Sequence, residues 1–144
     1  IEIAGSIRFD RETVIVRNEL SRYREVSESR VIRVLPPEFE PGVAVLVELD
    51  VRPRDGTPVF SVEDILPAGW TLDQVDSGGT FDALNRKVKW GPVFAPNATP
   101  GILRYRAVAG PGAAAEARFV GVGWFGGDPR PVEGDAVSVA PVGR

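Results

Sequence analysis

The sequence predicts an all-β domain folded as an antiparallel sandwich. Three observations carry this. Apolar and polar residues alternate at period two in several short runs. Gly and Pro, 16 and 13 in number, are spread between those runs as turn formers rather than gathered in one low-complexity stretch. No segment holds an apolar stripe at helical spacing.

Taken in order, Ile1, Ile3, Gly5, Ile7 and Phe9 alternate with Glu2, Ala4, Ser6, Arg8 and Asp10, the pattern of a half-buried strand. Val14 to Val16 is a short β-branched run. Leu20 to Ser29 is the best helical candidate, yet it is polar and short, and Ser21 to Ser29 carries no core signal. Arg30 to Leu35 reads as a strand. The clearest strand is Val43 to Val51: Val43, Val45, Val47, Leu49 and Val51 share one face, with Glu48, Asp50 and Arg52 on the other. Pro41-Gly42 opens it, Pro53 closes it, and Asp55-Gly56 marks the next turn. Val59 to Ile65, Val88 to Trp90, Ile102 to Val108, Ala115 to Phe125 and Ala136 to Val142 complete a set of about nine or ten strands at sandwich spacing. The architecture expected is therefore immunoglobulin-like, with an extra N-terminal strand or hairpin. Residues 1–29 would be that extension and its polar linker, and residues 30–144 the sandwich. Val45, Val47, Leu49, Trp70, Trp90 and Tyr105 are the expected core.

Length and composition narrow the function. A chain of 144 residues with 43% hydrophobic content suits one domain with one core. Cys is absent, which removes disulfides, thiolate metal sites and Cys nucleophiles; His is absent, which removes His-based zinc sites, Ser-His-Asp triads and His general bases. The expectation is a protein that is not an enzyme and takes no cofactor. A net charge of −3 offers no electrostatic footprint for nucleic acid. No apolar run approaches the roughly 20 residues that span a bilayer, so no membrane insertion is expected. The chain has no Met. That fits a piece cut from a longer precursor before Ile1, or a boundary with no biological meaning, and both readings stay open.

Four islands resemble a known type of module: Val62-Glu63-Asp64-Ile65-Leu66-Pro67-Ala68-Gly69-Trp70, Ser77-Gly78-Gly79-Thr80-Phe81-Asp82, Val88-Lys89-Trp90-Gly91-Pro92 and Leu103-Arg104-Tyr105. With Pro41-Gly42 ahead of them, their order and spacing are similar to immunoglobulin-like modules of large secreted and cell-surface bacterial proteins. Those modules carry a D-x-L-P-x-G-W segment, a Gly-Gly turn and a V-x-W-G-P strand, and often recur in tandem or beside dockerin domains. The resemblance spans about residues 30–142. It implies a sandwich and a non-catalytic, secreted or cell-surface setting, and it supplies no binding residues. The islands also have a physical reading. Pro67-Ala68-Gly69 is a tight turn, Trp70 and Trp90 face the core, and Gly91-Pro92 ends a strand because Pro cannot donate to a ladder.

Few residues suggest chemistry. Trp124-Phe125, flanked by Gly121, Gly123, Gly126 and Gly127, could leave a flat aromatic uncovered for a sugar ring, against the plainer reading of a sandwich cap. Asp73, Asp76 and Asp82 crowd around Ser77-Gly78-Gly79 and are weak calcium candidates, since their spacing matches no EF-hand loop. Glu38 and Glu40, or Glu63 and Asp64, could be thought an acid–base pair, but strand neighbours point to opposite faces. Arg22, Arg24, Arg30 and Arg33 are interleaved with Glu19, Glu25 and Glu28 and read as a solvated mixed-charge face. Asn97-Ala98-Thr99 fits a glycosylation pattern, with no modification the plainer reading.

Three functional readings follow. The first is a structural or adhesive module that spaces or presents neighbouring modules. The second is a fibre subunit in which Ile1, Ile3, Ile7 and Phe9 form a strand-exchange interface with an identical subunit. The third is a carbohydrate-binding module using Trp124 and Phe125, with polysaccharide as partner.

Overall fold

The computed structural model describes residues 28–141. Within them the chain forms β1 (Arg30–Val34), β2 (Val45–Arg52), β3 (Val59–Ile65), β4 (Trp70–Val75), β5 (Thr80–Asp82), β6 (Lys87–Phe94), β7 (Gly101–Ala109), β8 (Glu116–Arg118), β9 (Val120–Phe125), β10 (Asp128–Pro131), β11 (Glu133–Gly134) and β12 (Val137–Val139). One sheet has the order β11-β1-β2-β7-β4 and the other β10-β9-β3-β6-β5; β12 and β8 make a small third ladder. Every pairing between named strands is antiparallel except β1 with β11, which is parallel. This is the all-β sandwich the alternation predicts. The expected N-terminal strand, with Ile1, Ile3, Ile7 and Phe9, lies outside the described residues, as does Val14 to Val16.

β2 shows how the pattern works. Val45, Val47, Leu49 and Val51 are buried, while Leu46, Glu48 and Asp50 are half-buried on the outer face. Each buried valine or leucine contributes about 1.5–3 kcal/mol. Val43 departs from the expected face: it precedes the strand and is 51% exposed. The reason is the turn at Pro41-Gly42. Gly42 adopts φ +85° and donates to the Ala109 carbonyl, so the pleat starts only at Val45.

Two further expectations are corrected. Gly91-Pro92 does not end β6, which runs on to Phe94. The register against β3 shifts between Phe60 and Val62 instead. β5 pairs only with Lys87 to Lys89, so Pro92 sits where β6 has no neighbour on that side among the described residues, and its missing N–H costs little there. The run Ala115 to Phe125 is not one strand. It breaks at buried Phe119, whose amide donates to the Ala136 carbonyl as the chain passes from the small ladder to the second sheet.

The core is one cluster that includes Val47, Leu49, Val62, Trp70, Val88, Trp90, Tyr105 and Phe119. All six residues expected in it are buried. Trp70 packs between Phe39 and Phe119, with ring centroids 4.9 and 5.4 Å away. Trp90 donates through Nε1 to the Asp76 carbonyl at 2.9 Å. Gly79 makes room for that indole, because a Cβ there would lie 2.5 Å from Trp90 Nε1.

Candidate functional site

The chemistry-bearing residues of this molecule meet in its interior. β1 alternates so that Val31 and Arg33 point inward, and β3 so that Phe60, Val62 and Asp64 do. β7 turns Tyr105 inward from beyond β2. The Arg33 and Asp64 side chains are 1% and 0% exposed. They form a two-pronged ion pair between the sheets, Nη2 to Oδ1 and Nε to Oδ2, the latter at 3.2 Å. The Tyr105 hydroxyl donates to Asp64 Oδ2 at 2.5 Å. Arg33 Nη1 donates to the Asp135 carbonyl at 2.9 Å, and the guanidinium carbon lies 5.9 Å from the Phe119 ring centre.

All three donors converge on Asp64, which is the pattern of a carboxylate rather than a carboxylic acid. Burial pushes its pKa above the ordinary carboxylate value, and Arg33 and Tyr105 pull it back down. Burial and the neighbouring carboxylate push the Tyr105 phenol well above 10. Gly121 on β9 completes the fit: a Cβ there would lie 2.4 Å from Asp64 Oδ1 and 2.8 Å from the Glu63 carbonyl. With three donors on the carboxylate and the ion pair sealed from solvent, the cluster is closed to a substrate among the described residues. Its chemistry is cohesion between sheets.

The sequence assigns these residues differently. Arg33 is not on a solvated mixed-charge face; its strand parity turns it inward, beside Val31. Glu63 and Asp64 do point apart, with Glu63 meeting Lys87 at 3.2 Å on the outside. Trp124 and Phe125 do not form one platform. Phe125 is buried against Phe60 at 6.0 Å, whereas Trp124 is half-buried on the outer face between Ser61 and Pro129. Adjacent strand residues project oppositely, so only Trp124 can meet a ligand.

Asp73, Asp76 and Asp82 do not converge either. Among the described residues no group of three carboxylates is placed to hold a metal ion. The Asp82 carboxylate accepts from the Asn85 amide and side chain at 3.2 and 2.8 Å, which holds its pKa below the usual range. Asp76 contributes its carbonyl to Trp90.

A groove of about 470 Å³ lies among the Pro67-Ala68 turn, Arg86 and the β8–β9 segment, with buried Trp70 in its wall. Trp70 Nε1 finds no hydrogen-bond partner among the described residues.

No protein-family model and no curated protein matches the chain. Among solved structures it is similar to a cohesin module from a Clostridium perfringens family 33 glycoside hydrolase, with 14% identity, a TM-score of 0.48, and coverage of 77% of this chain and 93% of that one. No residue role passes between chains at that level of likeness.

Proposed function

We propose that this chain is a non-catalytic spacer module of a secreted or cell-surface protein, of the tandem immunoglobulin-like type that the four sequence islands resemble. One observation carries the reading. The first strand of the described body and its last segment run parallel, with Ile32 opposite Glu133, Arg33 opposite Gly134 and Glu38 opposite Val139. Parallel pairing sets the chain's way in, before β1, and its way out, after β12, at opposite ends of the sandwich. Across Ile32 to Phe39 that separation is at most about 23 Å at the usual rise per strand residue. Modules joined in series through such ends line up head to tail, with each core left intact. The ion pair that spans the sheets suits the same work, since it holds the shape without a disulfide.

Sedimentation of the chain over a wide concentration range, with a polysaccharide binding screen, tests the proposal. A monomer at every concentration with no sugar affinity is expected. Tight binding of a polysaccharide that Trp124→Ala abolishes would replace the spacer with a sugar-binding module.

A second reading, the fibre subunit, has one observation of its own. Beyond β5, the edge of β6 from Trp90 to Phe94 has no partner strand among the described residues, and Phe94 is 61% exposed there. An added strand from another copy, the role proposed for Ile1, Ile3, Ile7 and Phe9, finds an open edge at that place. The same sedimentation series separates the two: polymers that disappear on deleting residues 1–10 favour the fibre.

A further inference from the structure

The parallel pairing of the two ends does more than set a direction. The bonds between them are closely grouped. The Asp135 amide donates to the Arg33 carbonyl at 3.0 Å, and the Leu35 amide donates to Asp135 Oδ2 at 3.1 Å. Further along, the Phe39 amide donates to the Val139 carbonyl and the Val139 amide to the Pro37 carbonyl, both at 3.0 Å. At the start of β1, Arg30 and Glu133 form an ion pair at 2.8 Å. The approach is tight enough to need glycine: Gly134 has φ +87°, and a Cβ there would lie 2.5 Å from the Arg33 carbonyl.

We infer that this seam is a mechanical clamp that resists pulling along the chain. In a parallel pair, tension on the way in and on the way out acts along the strands in opposite directions. The cross-bonds then share the force in shear and must fail together. In an antiparallel pair both free ends lie on the same side, and the bonds open one after another. Arg33 extends the clamp into the second sheet, because the same guanidinium holds the Asp135 carbonyl on the seam and the Asp64 carboxylate on β3. Sliding β1 along the seam therefore disturbs the buried pair as well as the seam bonds.

The inference deepens the spacer reading, since a module in series feels force through its two ends. Its test is separate, because it needs single molecules and no partner. The chain has no Cys, so an introduced Cys is a unique handle. In the full chain, pulling between Glu28→Cys and the C-terminus loads the seam in shear. Pulling between Glu28→Cys and Asp55→Cys loads β1 from one side, because Arg30 lies opposite Arg52 in the β1–β2 ladder and both handles sit at that end. The unfolding force is expected to be severalfold higher in the first geometry. Asp135→Ala, which removes the Leu35 acceptor from an exposed side chain, should lower the first force and leave the second unchanged. Equal forces in the two geometries overturn the clamp, and so does an equal drop in both on Asp135→Ala. Either result leaves the spacer reading standing, just as a polymer or a bound sugar would overturn the spacer and leave the clamp intact.

Discussion

Asp64 and Glu116 each face an arginine, but in different surroundings. Glu116 and Arg118 meet at 3.2 Å on β8 with side chains about 60% exposed. Asp64 and Arg33 meet in the centre of the sandwich, where water is excluded and a phenol and a carbonyl supply the remaining hydrogen bonds. In water the attraction of the outer pair is screened, and holding two long side chains in one geometry costs entropy. In the core, desolvation opposes the attraction strongly, so the pair's net contribution is small, yet losing either member leaves a charge with nothing to meet it. The buried pair thus acts mainly as a rule about what else can occupy that space. Through one carboxylate it ties together β1, β3 and β7.

Breaking the inner pair should have the largest effect. Arg33→Met alone, or Asp64→Leu alone, is expected to destabilise by about 3–5 kcal/mol, read from the denaturant midpoint. The double variant Arg33→Met/Asp64→Leu should recover most of that loss, because no charge is then left unpaired. Losses that simply add would mean that the two side chains act separately and that the inter-sheet pair is not a unit.

A smaller effect is expected at Tyr105. Tyr105→Phe removes a hydrogen bond to a charged group and should cost about 1.5–3 kcal/mol near neutral pH. The pH dependence sharpens the contrast with the surface. The folded state keeps the Tyr105 proton well above pH 10, while an unfolded tyrosine gives it up near 10. Its contribution is therefore fully present below about pH 10 and is lost as pH rises beyond that, because the folded state then holds the extra proton. Tyr105→Phe should flatten that alkaline decline; an unchanged slope between pH 9 and 12 would show that the phenol is not sealed in.

The smallest effect belongs to the outer pair. Arg118→Ala should shift stability by about 0–1 kcal/mol, and that shift should shrink further in high salt. A loss as large as that of Arg33→Met would erase the distinction between the two regions.

Much of the fold is legible from alternation alone. β2 and β3 follow from period two, and Trp70, Trp90 and Tyr105 are correctly placed inside from their positions in the strands and sequence islands. The buried Arg33–Asp64 pair is half visible in the sequence. Arg33 follows Val31 on the inward parity of β1, and Asp64 follows Val62 on the inward parity of β3. Two opposite charges on core parity, one in each strand, were the available signal. It is masked by nearby charges, since Arg30, three residues before Arg33, and Glu63, next to Asp64, make both look like members of ordinary charged stretches.

What the sequence by itself determined is the class of fold and the chemistry it excludes. Alternation and turn residues are local properties, so they survive being read one segment at a time, and the absence of Cys and His needs no coordinates. Only the tertiary structure decided which strands are neighbours. That choice brought Arg33 to Asp64 and set β1 parallel to β11. It gave the Asp76 carbonyl to Trp90 and left the Asp82 carboxylate with Asn85. Pairing between distant segments depends on packing across the whole core and on the chain's path through it, and neither leaves a mark within a window of ten residues.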